Sequence, residues 1–244
     1  MSAIIKYNIF GSLSGFPKTL TEDCFMRMRR KKHREERMEN CGGLMIKDIL
    51  EYKNDIKAVF DEDKPLHIEI GCGKGGFISE TARKNPEINY IAFEKNLDVL
   101  VLAMEKVTEL GLENVRFVPG DASILSELNT ESKVQRVYIN FCDPWPKSGH
   151  KKRRLTHERF LSIYEGMIEN GGAVHFKTDN RGLFEFSLNS FADYGLKLKN
   201  ITLDLHNSDF EGNVMTEYEK LFSEKGQPIY RCEAIFSAEN GAHR

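Results

Sequence analysis

From residue 66 onward, apolar runs of strand length alternate with segments of helical period, and glycines mark the joins. Residues 66–70, 89–93, 115–118, 134–141 and 173–177 read as strands. Residues 76–84, 97–110, 156–169 and 183–194 read as helices. Gly111, the run Asn170-Gly171-Gly172 and Gly195 stand where helices must stop. Two late strands follow at 197–205 and 229–237. A strand that recurs after each helix can return only in the same direction, so the pattern predicts a mostly parallel α/β sheet covered on both faces. Residues 44–60 also carry a helical pattern ahead of this series.

The length of 244 residues suits one large domain or two small ones, and 40% hydrophobic residues can fill a core. The formal net charge of −2 excludes a uniformly basic nucleic-acid coat, so any polyanion must be met by local patches. Cys24, Cys41, Cys72, Cys142 and Cys232 are odd in number and lack paired spacing. A disulfide framework or a zinc site is therefore not expected, and a reducing cytoplasm fits best. No apolar run approaches the roughly 18 residues of a membrane span, and no secretory signal opens the chain. Residues 1–25 have no clear period and read as a non-native or disordered extension. Residues 26–43 form a basic arm, and residues 44–244 a single domain.

Glu69-Ile70-Gly71-Cys72-Gly73-Lys74-Gly75-Gly76 joins the first core strand to its helix. Gly71, Gly73 and Gly76 fit G-x-G-x-x-G, and Glu94 ends the next strand where an acid can meet a ribose. The pattern suits NAD and S-adenosylmethionine (SAM) almost equally. Glu69 tips the balance, because a carboxylate beside the glycines attracts the cationic amino-acid end of SAM and repels a pyrophosphate. Asp121, after the third strand, can accept from an adenine amino group. Each acid also has a plainer reading: Glu69 as a solvated strand end, Asp121 as the N-cap of a short helix.

The fourth strand runs into Asp143-Pro144-Trp145-Pro146-Lys147-Ser148-Gly149-His150-Lys151-Lys152-Arg153-Arg154. An acid, the chain's only tryptophan and a cationic run thus lie together at a strand's carboxyl end, where open α/β sheets bind ligands. The prolines restrict the loop and lower the entropy cost of an ordered site. Trp145 suits base stacking and hinge packing equally. The cations can neutralise phosphates, and an ordinary solvated face is the alternative.

With these residues in view, the chain resembles the bacterial tRNA (guanine-N7-)-methyltransferase family over about residues 26–237. The resemblance rests on EIGCGKGGF (69–77), FEKN (93–96), GDA (120–122), INFCDPWPKSGHKKRRL (139–155), FKTDN (176–180) and TEYEKLFSEKGQPIY (216–230). The first three are common among SAM enzymes, while the fourth and last are far more specific. The resemblance implies a Rossmann-like class I methyltransferase fold with a late antiparallel strand, and methylation of guanine N7 at position 46 of the tRNA variable loop. It implies SAM contacts at Glu69, Gly71, Gly73, Glu94, Asp121 and Asp143, with Asp143 also catalytic. It implies substrate contacts at Lys147, Asp179, Thr216, Glu217, Tyr218 and Glu219. Gly149, His150, Lys151, Lys152, Arg153 and Arg154 correspond to an RNA-interacting stretch. The partner is then tRNA, with no metal and no membrane, for a monomer or homodimer.

The chemistry is consistent with that inventory. Guanine N7 carries an exposed lone pair and attacks a sulfonium methyl without prior deprotonation. In-line placement is what matters, and a carboxylate near the purine stabilises the charge that develops there. Asp143 is the residue placed for this; a turn-forming Asp-Pro is its plainer reading. Thr216 to Glu219 can equally form a capping box, and Asp179-Asn180 a helix cap. Two other functions share the fold: an NAD-dependent oxidoreductase, and an RNA-binding module without activity.

Overall fold

The computed structural model describes residues 33–237. The expectations for residues 1–25 and for the first part of the basic arm lie outside them. A helix, α1 (Arg34–Asn40), comes first. The core alternates β1 (Leu66–Ile70), α2 (Gly76–Lys84), β2 (Asn89–Glu94), α3 (Leu97–Glu109), β3 (Val115–Pro119), β4 (Val134–Asn140), α4 (Glu158–Met167), β5 (Ile168–Thr178) and α5 (Arg181–Asp193). It ends in β6 (Lys197–Thr202), α6 (Glu217–Ser223) and β7 (Tyr230–Ile235).

The strands form one sheet in the order β3-β2-β1-β4-β5-β7-β6. The first five run parallel, and β7 lies antiparallel between β5 and β6. The sheet predicted from the alternation is present, and its antiparallel member is the last strand.

Alternation along each strand splits the core in two. Leu66, Ile68 and Ile70 join Val137, Ile139, Val174 and Phe176 under α4 and α5. Tyr90, Ala92 and Tyr138 face Phe77, Ile78, Leu100 and Met104 on α2 and α3. The described end of the basic arm, α1, is a docked helix: Arg34 and Arg37 pair with Asp98 and Glu105 of α3.

Two stretches depart from expectation. Residues 44–60 are short 3-10 turns rather than a helix. Asp48 and Asp55 accept from Leu50 and Lys57 backbone N–H groups, and each such cap restarts the chain before a helix can propagate. Ile46, Ile49 and Ile56 still reach the core, which accounts for the apparent period. The run Asn170-Gly171-Gly172 does not close α4. The helix ends at Met167, and the glycines form an irregularity within β5, where the register against β4 shifts.

Candidate active site

The chain order reverses between β1 and β4, which are neighbours in the sheet. The crevice beyond their carboxyl ends is the expected ligand position in such a sheet. A cavity of about 480 Å³ opens there, within the range of small-molecule sites. Gly71, Glu94, Asp121, Asp143 and Trp145 all line it. Four separate strand-end segments of the sequence thus meet at one place.

The glycine loop is built by positive φ at Gly71, Gly73 and Gly75. Gly75 tolerates nothing larger: an added Cβ would lie 2.7 Å from Ala103 Cβ and 2.8 Å from its Cα. Glu94 braces the loop, accepting from Gly73 N–H at 3.1 Å and from Asn96 N–H at 2.8 Å.

Glu69 lies behind the cavity wall, 1% exposed. Its Oε1 accepts from Asn140 Nδ2 at 3.1 Å, and Asn140 itself lines the cavity. Its Oε2 is buried without a hydrogen-bond partner. Burial pushes the carboxyl up to about 7, opposed by the Asn140 hydrogen bond and Lys177. A buried, unmatched carboxylate oxygen is unfavourable until a donor meets it, and a cationic amine is a fitting one. The donor set therefore fits SAM: an anionic back wall for an ammonium, with Glu94 and Asp121 at the rim for hydroxyl and amine groups.

Asp121 also caps the short turn after β3, accepting from Ser123 N–H at 2.9 Å, so its plainer reading holds as well. Asp143 is a third exposed, with Lys95 Nζ 3.6 Å away. Sequence reasoning quoted Asn140 and Lys95 within motifs but gave them no role. Asn140 was detectable as an amide that follows the apolar run Val137-Tyr138-Ile139 at the end of β4.

The loop around Asp143 is held in unusual backbone conformations. Phe141 and Trp145 have φ of 52° and 43°, uncommon for bulky residues. Lys147, Gly149, Lys151, Lys152 and Arg153 are exposed and His150 is partly so, but Arg154 is buried. Arg154 therefore departs from the reading of the whole run as an RNA-facing surface.

The 216–219 segment also needs correction. Thr216 Oγ1 accepts from Glu219 N–H at 2.8 Å, and Glu219 closes the reciprocal capping box. Glu219 is 0% exposed and pairs with Lys177 Nζ at 2.7 Å. Its carboxylate is engaged inside the fold and does not present itself to a base. Glu217 reaches Lys106 Nζ at 2.5 Å and packs at Gly76, the start of α2. Tyr218 stands against Phe141, a cavity-lining residue, with ring centroids 5.0 Å apart. Asp179 is partly buried, with its carboxyl raised by desolvation, while Asn180 is the residue that caps α5.

Comparison with known proteins identifies the family. A family model described as "Putative methyltransferase" matches residues 63–232. A tRNA (guanine-N(7)-)-methyltransferase of Bacillus licheniformis is 51% identical over 209 residues, 86% of this chain and 98% of the relative. That of Streptococcus uberis is 51% identical over 211 residues, covering 86% of this chain and all of the relative.

The chain belongs to the tRNA (guanine-N(7)-)-methyltransferase family.

The Bacillus subtilis member is 50% identical over 208 residues, 85% of this chain and 98% of its own length. Among solved structures, the 16S rRNA methyltransferase KamB superposes with a TM-score of 0.56 at 12% identity, over 75% of this chain and 93% of its own. An antibiotic-related methyltransferase gives 0.51 at 16% identity, over 86% and 97%. At these identities the likeness concerns the fold. Neither the oxidoreductase nor the inactive RNA-binding module finds support among these relatives.

Proposed function

We propose that this enzyme transfers the methyl group of SAM to N7 of a guanine in tRNA, at position 46 of the variable loop. The carrying observation is that Glu94, Asp121 and Asp143 share one cavity with an unpartnered Glu69 oxygen buried behind it. Bound SAM supplies an electrophilic methyl on a sulfonium. Glu69 would hold its ammonium, Glu94 its ribose and Asp121 its adenine, with Gly71 and Gly73 allowing close backbone approach. Carboxylates retain further acceptor sites after one hydrogen bond, so the contacts of Glu94 and Asp121 within the protein leave room for this.

Asp143 acts on the purine. N7 is nucleophilic as it stands, so no strong base is required. As the methyl arrives the purine becomes cationic, and a fixed carboxylate nearby favours that state over the neutral one. Asp179 and Tyr218 would meet the guanine edge and face. Thr216, Glu217 and Glu219 hold their segment in place. Lys147, Lys151 and Lys152 meet the RNA backbone.

The test is incubation with unmodified tRNA and methyl-labelled SAM, followed by mapping of the modified base. The expected product is N7-methylguanine at position 46. Label at another base or atom would retain the fold and discard this substrate assignment.

A further inference from the structure

Within the basic run 150–154 the last member is the buried one, while Arg153 lies over the Trp145 ring with its guanidinium 4.8 Å from the centroid. Lys151, Lys152 and Arg153 are exposed, while Arg154 is 8% exposed. Arg154 turns back along its own chain. Its Nε donates to Pro144 O and its Nη2 to Trp145 O, each at 3.0 Å. Its guanidinium lies 4.3 Å from the ring centroid of Phe186 on α5. The recorded acceptors are backbone carbonyls and the stacking surface is a core-side aromatic, which is not how a phosphate ligand is held.

The two carbonyls are consecutive, and the φ of Trp145 is one of the two torsions that relate them. That φ is +43°, in the left-handed region that a large side chain rarely adopts. A planar fork with fixed N–H directions suits two adjacent carbonyls better than a rotating ammonium does. The peptide being gripped immediately follows Asp143, and both Asp143 and Trp145 line the cavity.

We propose that Arg154 is a positioning residue: it clasps the Pro144 and Trp145 carbonyls, anchors them to α5, and so sets where Asp143 and Trp145 stand in the cavity. Contact with the RNA backbone falls to its exposed neighbours. The assignment rests on the methyl-transfer reading for its effect on rate, but the clasp itself can be read without any substrate.

Trp145 is the chain's only tryptophan and reports on the loop directly. The experiment compares full-length wild type, Arg154→Met, Arg154→Lys and Lys152→Ala. Emission and acrylamide quenching of Trp145 are measured in the tRNA-free enzyme. The salt dependence of tRNA binding and kcat at saturating tRNA are measured alongside. Arg154→Met is expected to raise quenching about twofold and lower kcat on the order of tenfold or more, with tRNA affinity and its salt slope unchanged. Arg154→Lys is expected to fall between it and wild type. Lys152→Ala is expected to leave Trp145 quenching unchanged and reduce the salt slope by about one.

Unchanged quenching and kcat in Arg154→Met would overturn the proposal. So would a loss of salt slope matching Lys152→Ala. Should Arg154→Met melt below the assay temperature, Arg154→Lys decides: quenching equal to wild type refutes the clasp, and intermediate quenching supports it. If wild type itself methylates no tRNA, the substrate reading fails, while the quenching comparison still judges the clasp.

Discussion

Lys177 and Glu219 face each other at 2.7 Å inside the protein, with 6% and 0% of their side-chain surface exposed. The pair ties the end of β5 to the first turn of α6. Lys177 also donates to Asn213 Oδ1 and Val214 O, and Glu219 accepts from Asn213 Nδ2. Burial pulls the Lys177 ammonium below its ordinary value, against the opposing pull of Glu219.

Removing one partner takes away the closest opposite charge from the other, leaving Glu219 with His206 Nε2 at 3.3 Å and Lys177 with its two oxygen acceptors. Lys177→Met and Glu219→Gln are each expected to destabilise the protein by roughly 3–5 kcal/mol in urea melts. The double variant Lys177→Met/Glu219→Leu is expected to lose less than the sum of the singles, because no charge is stranded. Hydrogen exchange in the single variants is expected to rise first across residues 213–223. Uniform exchange across the sheet instead would show that the pair does not specifically hold this segment.

Glu69 carries a pH signature. Below about pH 4.5, its ordinary value, the carboxyl is protonated in the folded and unfolded chain alike. Between there and about 7 the unfolded chain releases the proton while the folded protein keeps it. Stability therefore falls as pH rises through this window, by about 3 kcal/mol in all, and is flat above it. Ligand-free Glu69→Gln is expected to match wild type near pH 4.5, exceed it increasingly up to about pH 7, and keep that margin at pH 8. Adding SAM at pH 8 is expected to raise the melting temperature of wild type only. Parallel stability-versus-pH curves for the two proteins would refute this.

Gly75 and Gly76 are adjacent but should respond differently to alanine. At Gly75 the new methyl meets the Ala103 backbone, and the residue sits at φ +77°. Gly75→Ala is expected to cost about 2–4 kcal/mol. At Gly76 the obstacle is the Glu217 carboxylate, the end of a flexible side chain. Gly76→Ala is expected to cost less than about 1 kcal/mol and to release the Lys106–Glu217 pair. Denaturant midpoints check both.

Asp143→Ala is expected to lower kcat by about 10²–10³-fold if its carboxylate stabilises the purine cation as a preorganised charge does elsewhere. Single-turnover methyl transfer at saturating SAM and tRNA measures it. A rate within twofold of wild type would remove Asp143 from the chemistry.

The sheet was legible because strand and helix periods recur over many residues and glycines follow α3 and α5. The strand-end acids were legible because a parallel sheet puts successive carboxyl ends on one rim. What escaped was tertiary. Residues 44–60 place isoleucines at helix-like intervals, yet two aspartates cap successive turns and no helix propagates. Arg154 and Glu219 look like their motif neighbours in charge and spacing. Only the folded chain shows that one turns toward backbone carbonyls and the other toward Lys177. Asn140 and Lys95 gained roles once β1, β2 and β4 lay side by side.

The last strand to leave the ribosome is an interior one. β7 slots between β5 and β6, so β6 pairs with nothing else in the sheet until residues 230–235 arrive. The segment carrying Tyr218 is the connection between β6 and β7; the Lys177–Glu219 pair holds it to β5, and its far end is anchored when that slot is filled. A nascent chain stalled before β7 would already own every acid of the cavity rim, but would lack the framed tyrosine beside it. Full-length synthesis is thereby written into the topology as a condition for completing the sheet.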